Sequence, residues 1–171
     1  MVVVTEYNAR WPSMAAAAIA ELSPLLPIVE HIGSTAVPGL AAKPTIDLMA
    51  AVPSLSSVDA RSFSSLNYER HLNGMTDRLL FARWADDART HILHVVTLDS
   101  WPTRNQRLLR DYLRAHPAEA ERYAALKRSL AATRPHPHTY TAAKTDLIQE
   151  LTDRARAAVG LPPVPVWEKP F

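Results

Sequence analysis

Glycine, serine and threonine stand together at Gly33, Ser34 and Thr35, and an aspartate, Asp47, follows thirteen residues beyond Ser34. A glycine lets the chain turn sharply and lets a ligand approach the backbone. Hydroxyls and free backbone N–H groups at such a turn favour an anion. Asp47 lies among Ile46, Leu48 and Met49, and a carboxylate buried there without a partner would be costly. It must meet a cation, a metal or a set of donors. A strand, a Gly-Ser turn and a carboxylate on the next strand can set a phosphate beside a metal ion. Lys43 precedes Pro44, which holds Lys43 extended and aims its ammonium along a fixed path.

Further candidates lie downstream. His91 and His94 are three apart in an apolar run; on a strand they point to opposite faces, so one of them could stand near Asp47 and the other could not. Lys127 follows Tyr123 by four residues, and Lys144 follows Tyr140 by four. On helices, each lysine then sits beside a tyrosine at the edge of the buried face. Snorkelling to solvent is one outcome; convergence of both ammoniums on an anion, with Arg83 and Arg110, is the other.

Elements must carry these groups. "MVVVTEY" reads as a strand, Pro12 opens an alanine-rich helix over about 13–23, and "IVEHIG" and "PTIDLMAAV" read as strands around the glycine turn. "SLSSVDARSFSSLN" has near-helical apolar spacing. Strands follow at about 67–72 and 78–84, then "ADDA" as a turn, then the strand "RTHILHVVTLD". Three helices are expected over about 103–115, 117–133 and 140–159. The order predicts an α+β fold: a mixed sheet with flanking helices and a C-terminal helical unit. One domain over 1–160 is expected, with a proline-rich tail over 161–171.

The chain has 171 residues and no cysteine, which excludes disulfides, thiolate metal sites and a cysteine nucleophile. No apolar run reaches a membrane span, and the N-terminus carries Glu6 and no basic start, so a cytoplasmic protein without membrane association is expected. Net charge is only +2, yet residues 100–134 hold eight basic residues against Asp111, Glu119 and Glu121. Without interleaved aromatics this is no nucleic-acid reader; a solvated helix face or an anionic small-molecule ligand fits it.

The segments "YNARWP", "HIGSTAVPGLAAKPTIDL", "RTHILHVV", "RDYLRAHPAEAERYAALKRSLA" and "YTAAKTDLIQE" together resemble the GrpB family, in order from Val2 to Arg156. The resemblance implies a nucleotidyltransferase-like fold. It puts the superfamily's Gly-Ser turn on Gly33 and Ser34 and its first metal carboxylate on Asp47, with His31, Thr35, Lys43, Arg83, His91, His94, Arg110, Lys127, Tyr140 and Lys144 among the residues similar to the family's. It implies Mg²⁺ at Asp47 and a nucleotide or other phosphorylated small molecule as ligand, with nucleotidyl or related group transfer, or recognition without turnover, as the activity. The second carboxylate position falls on Met49, a departure, because two-metal transfer needs at least two convergent carboxylates.

Overall fold

A computed structural model describes residues 3–133 and 137–166. Trp11–Leu22 forms α1, opened by Pro12 in its first turn, where a missing N–H costs nothing. Its buried residues Trp11, Ala15, Ala18 and Leu22 recur every three or four positions, one stripe of a helix. That stripe packs with Ile46, Leu48, Ala50, Phe81, Leu93 and Val95 in the main core. Burying a side chain the size of Leu22 there stabilises by about 1.5–3 kcal/mol.

The sheet has five strands: β1 (Ile28–Ile32), β2 (Ile46–Val52), β3 (Tyr68–Arg70), β4 (Leu79–Ala85) and β5 (Ala88–Thr97). Their spatial order is β1-β2-β5-β4-β3. Only β2 and β5 run parallel; the other neighbours are antiparallel. The sheet is therefore mixed, and the fold is α+β, as its element order predicts. Asp86 and Asp87, both with positive φ, make the tight turn between β4 and β5, the residue type and conformation that a two-residue hairpin favours.

After β5 come α2 (Asn105–Ala115), α3 (Pro117–Ala132), α4 (Pro137–Ala143) and α5 (Thr145–Ala157). Leu113, Tyr123, Ala124 and Leu151 of this unit share a second core with Val37, Leu40 and Ala41. The C-terminal helices thus pack mainly on the loop between β1 and β2. The part of the tail over 161–166 is not free: Gln149 donates to the Val164 carbonyl and accepts from the Val166 N–H, and Arg156 donates to the Pro162 carbonyl.

Three elements differ from expectation. Residues 55–66 form two 3-10 segments, Leu55–Ser57 and Ala60–Leu66, because Asp59 accepts from the Arg61 N–H and side chain and fixes a local turn. Thr5 makes only an isolated bridge to Ala42 and does not extend the sheet. The helix expected over 140–159 is broken at Lys144 into α4 and α5. The first two residues of the expected opening strand, the loop over 134–136 and the tail beyond 166 lie outside the described residues.

Candidate functional site

Asp47 stands on β2 opposite Ile32 of β1 and Ile92 of β5. Paired residues share a face, so Ile32, Asp47 and Ile92 lie on one side of the sheet, with Glu30, Met49 and His94 two positions further along. His91 pairs with Ile46 and Arg83 and therefore occupies the other face, the one covered by α1. There Arg83 bonds Glu21 at 2.7 Å, donates to the His91 ring and lies over the Tyr68 ring. His91 is pushed down to about 4 by burial and by Arg83, so it is neutral. The sheet does not bring His91 or Arg83 to Asp47.

The glycine turn meets Asp47 directly. Gly33 has φ 74° and ψ −173°, a region essentially restricted to glycine. A Cβ placed on it would come 2.7 Å from Asp47 Oδ2. Ser34–Ala36 then forms a short 3-10 turn. His31 Nε2 lies 2.8 Å from Thr35 Oγ1, and Thr35 Oγ1 donates to the Thr45 carbonyl. Burial, followed by Arg114 and Arg110, pushes His31 down to about 4. His31 and Thr35 thus tie the turn to the segment carrying Lys43; they hold the site's frame.

Cations gather around Asp47. Lys43 Nζ sits 4.8 Å from the Tyr140 ring centroid, and Lys144 Nζ sits 4.3 Å from the same centroid. Lys127 Nζ lies 4.3 Å from the Tyr123 ring, and Tyr123 packs with Val37, Leu40 and Ala41 of the loop after the glycine turn. The break between α4 and α5 places Lys144 at the N-cap of α5, and this turns its ammonium toward Asp47 and Lys43. Lys127 is 2% exposed, and its ammonium has no hydrogen-bond partner. The Tyr140 hydroxyl is likewise buried and unbonded.

The electrostatics reflect this crowding. Burial raises Asp47 to about 7, against the opposing pull of Arg89, Lys144 and Lys43. Burial, then Lys144 and Arg128, lowers Lys127 to about 7. Burial and Lys43 bring Lys144 to about 8, although Asp47 opposes them. Each group resists its charged form because water has been removed without a full set of partners.

Arg89 belongs to this cluster, and the sequence pattern missed it. By simple alternation it would share the His91 face. A register shift between Arg83 and Trp84 leaves Thr90 as the extra residue of a bulge, and a bulge re-aims the side chain beside it. Arg89 accordingly heads the charges that act on Asp47. Thr45 Oγ1 donates to its carbonyl at 3.2 Å.

Arg110 does not join the lysines. It bonds Glu30 at 2.7 Å, the His31 carbonyl at 2.9 Å and Asp111 at 2.8 Å. Arg107 completes the grip on Glu30 while lying 4.1 Å from the Trp101 ring centroid. His94 shares the Asp47 face, but the charges that hold it down to about 3, after burial, are chiefly Arg78 and Arg104.

The set does not fit a preformed site for the expected Mg²⁺. Asp47 is one carboxylate ringed by cations. Met49, at the second carboxylate position, is wholly buried against Ile32 and Val96. Glu30, beside Met49, is held by two arginines. Among the described residues no three histidine or carboxylate side chains gather as metal ligands, and Mg²⁺ needs several oxygens in octahedral array.

Fold and site together define an α+β protein with a cluster of cations around Asp47, between a mixed sheet and its C-terminal helices. The chain matches the GrpB protein family over residues 1–154 and belongs to that family. It is 35% identical over 132 residues to the UPF0157 protein YqkA of Bacillus subtilis, covering 75% of this chain and 38% of that protein. It is 34% identical over 163 residues to the UPF0157 protein PA4798 of Pseudomonas aeruginosa, covering 89% and 66%. The chain therefore spans less than two thirds of the length of both. The crystal structure of GrpB from Enterococcus faecalis superposes with a TM-score of 0.81 at 32% identity, over 90% of this chain and 96% of that one. No helix among the described residues is long and apolar enough to cross a membrane.

Proposed function

We propose that the cation cluster around Asp47 opens onto a cleft that binds a phosphorylated small molecule, a nucleotide or phosphorylated metabolite, with its phosphate oxygens against Ser34, Lys43, Lys127 and Lys144. The observation that carries this reading is the Lys127 ammonium, 2% exposed and without a hydrogen-bond partner. A buried charge in that state is costly. It is offset if an anion enters and accepts its three N–H donors. Lys144 and Lys43, stacked on one tyrosine ring, extend the same positive surface, and Gly33 lets the turn lie directly against Asp47.

Group transfer to a small-molecule acceptor is the reaction this arrangement supports. Ammonium groups would neutralise the charge on the phosphoryl oxygens, which is most of what such a transfer requires. In nucleotidyl transfer the acceptor oxygen bonds to phosphorus, the bond from phosphorus to the leaving pyrophosphate breaks, and the acceptor's proton goes to Asp47. A carboxylate raised to about 7 is matched to that role. Recognition without turnover is the second reading. Met49 favours it, because the hydrocarbon there removes a ligand of the usual two-metal site.

Calorimetric titration with a panel of nucleotides and sugar phosphates, followed by product analysis, tests the proposal. Wild type should bind at least one of these, Lys144→Gln should bind it about tenfold or more weakly, and His91→Gln should bind it unchanged. Absence of binding by every phosphorylated ligand, with binding of uncharged analogues, would refute it.

A further inference from the structure

We propose that Lys127 and Lys144 take, in charge, the place of the divalent ions of a two-metal transfer site, so that ligand phosphates are held directly by ammonium groups and bind without divalent metal. This rests on the phosphate-binding reading of the same cleft and specifies its ligand: a di- or triphosphate in its metal-free form.

The first ground is what has replaced the acidic ligands. A metal-binding face needs converging oxygens. On this one, Met49 is 0% exposed and packed with Ile32, Val96 and Trp101. The adjacent Glu30 has both oxygens engaged, one by Arg107 at 3.1 Å and the other by Arg110 at 2.7 Å. A divalent ion at the second position would meet a thioether and two guanidinium groups.

The second ground is the sign of the remaining charge. Asp47 is the one carboxylate at the centre of the cluster among the described residues, and Arg89, Lys144 and Lys43 all act on it. Lys144 in turn acts on Lys127 of α3. Four cations against one anion leave an excess of three positive charges when all are ionised. A bare divalent ion is repelled by that field, whereas a diphosphate or triphosphate matches it.

The third ground is geometric readiness. Lys127 and Lys144 lie over tyrosine rings at 4.3 Å each. A ring face attracts an ammonium without using its N–H donors in ordinary hydrogen bonds. Tyr123 also packs with Val37, Leu40 and Ala41 in the second core, so the helix carrying Lys127 is fastened to the loop that follows the glycine turn. The spacing between turn and ammonium is therefore set by the fold, as the position of a metal ion is set by its carboxylates.

The test uses the full chain and two probes, inorganic tripolyphosphate and ATP, titrated calorimetrically in EDTA and in excess Mg²⁺. Affinity in EDTA should equal or exceed that in Mg²⁺. Lys127→Gln and Lys144→Gln, checked for folding by circular dichroism, should each weaken metal-free binding about tenfold or more. Lys127→Arg, which keeps the charge, should bind tripolyphosphate more tightly than Lys127→Gln. Binding that appears only with Mg²⁺, or metal-free binding untouched in both glutamine variants, would overturn the inference while leaving the phosphate-binding reading intact. No binding of either probe, in EDTA or in Mg²⁺, would overturn the inference; the panel above then decides separately whether the cleft takes any phosphorylated ligand.

Discussion

A methyl group on Gly33 would stand 2.7 Å from Asp47 Oδ2 and 3.0 Å from Asp47 Cβ. The turn after β1 and the carboxylate on β2 are thus in van der Waals contact, and the glycine is what permits it. The backbone is also one that side chains rarely adopt, with φ 74° and ψ −173°.

Gly33→Ala should therefore lose stability through two separate causes. The backbone strain alone costs about 1–3 kcal/mol, and the contact with Asp47 adds to it unless the carboxylate moves. Urea denaturation measures the loss. Asp47→Gly in the Gly33→Ala background should recover part of it by removing the contact but not the strain. Full recovery would mean that the backbone at position 33 relaxes freely.

Lys127 gives a prediction whose sign depends on pH. Its folded pKa is lowered from 10.5 to about 7, so folding opposes its protonation. Both states are neutral above the unfolded value, and there the residue costs nothing. As pH falls from about 10.5 through 7, the unfolded chain binds the proton first and native stability is lost. Lys127→Met keeps the stem and removes the charge, so it should be more stable than wild type at pH 7 by about 1–3 kcal/mol, with the gap closing toward pH 10.5. Denaturant midpoints at pH 6, 7, 8 and 9.5 measure this. A destabilised Lys127→Met across that range would show that the ammonium has a partner in the free protein.

Glu30 behaves in the opposite sense. Burial alone would raise its pKa, but hydrogen bonds from Arg107 and Arg110 outweigh that and lower it. Its stabilising contribution is present above the ordinary glutamate value and is lost as pH falls through the lowered one. Glu30→Gln leaves Arg107 without its anion and Arg110 with Asp111 alone, and should cost about 1–3 kcal/mol at pH 7, most of it gone by acid pH. The same variant loosens α2 from β1, so hydrogen exchange at the His31 carbonyl's neighbours should quicken.

Much of this was legible in the sequence, and the failures have physical reasons. The α1 stripe, the two strands around Gly33 and the strand holding His94 follow from apolar period, and the opposite orientation of His91 and His94 follows from strand alternation. The glycine turn and Lys43 come near Asp47 because fourteen residues closed by a turn leave little alternative. Arg89 was invisible because one extra residue, Thr90, breaks the alternation. The break between α4 and α5 at Lys144 was hidden because no proline or glycine marks it. Arg83 and Arg110 were indistinguishable by type from ligand-binding arginines; Glu21 and Glu30, distant in sequence, claim them.

The last prediction joins the site's charges to its ligand. At pH 8 Lys127, with a pKa of about 7, is mainly neutral and Lys144, at about 8, is half ionised. A phosphate placed between them favours both charged forms and raises both pKa values. Binding must then draw protons from solution, because with ATP as the probe the terminal phosphate is almost wholly ionised at this pH and has few to give. Titration of ATP at pH 8, in buffers of different ionisation enthalpy, should show uptake on the order of one proton per ligand bound. At pH 6 both lysines are already protonated, so uptake by them should nearly vanish. Lys127→Met should remove most of the uptake at pH 8 and leave the smaller share due to Lys144. Binding heats independent of buffer at pH 8 would mean that the phosphate rests elsewhere than between these two ammoniums.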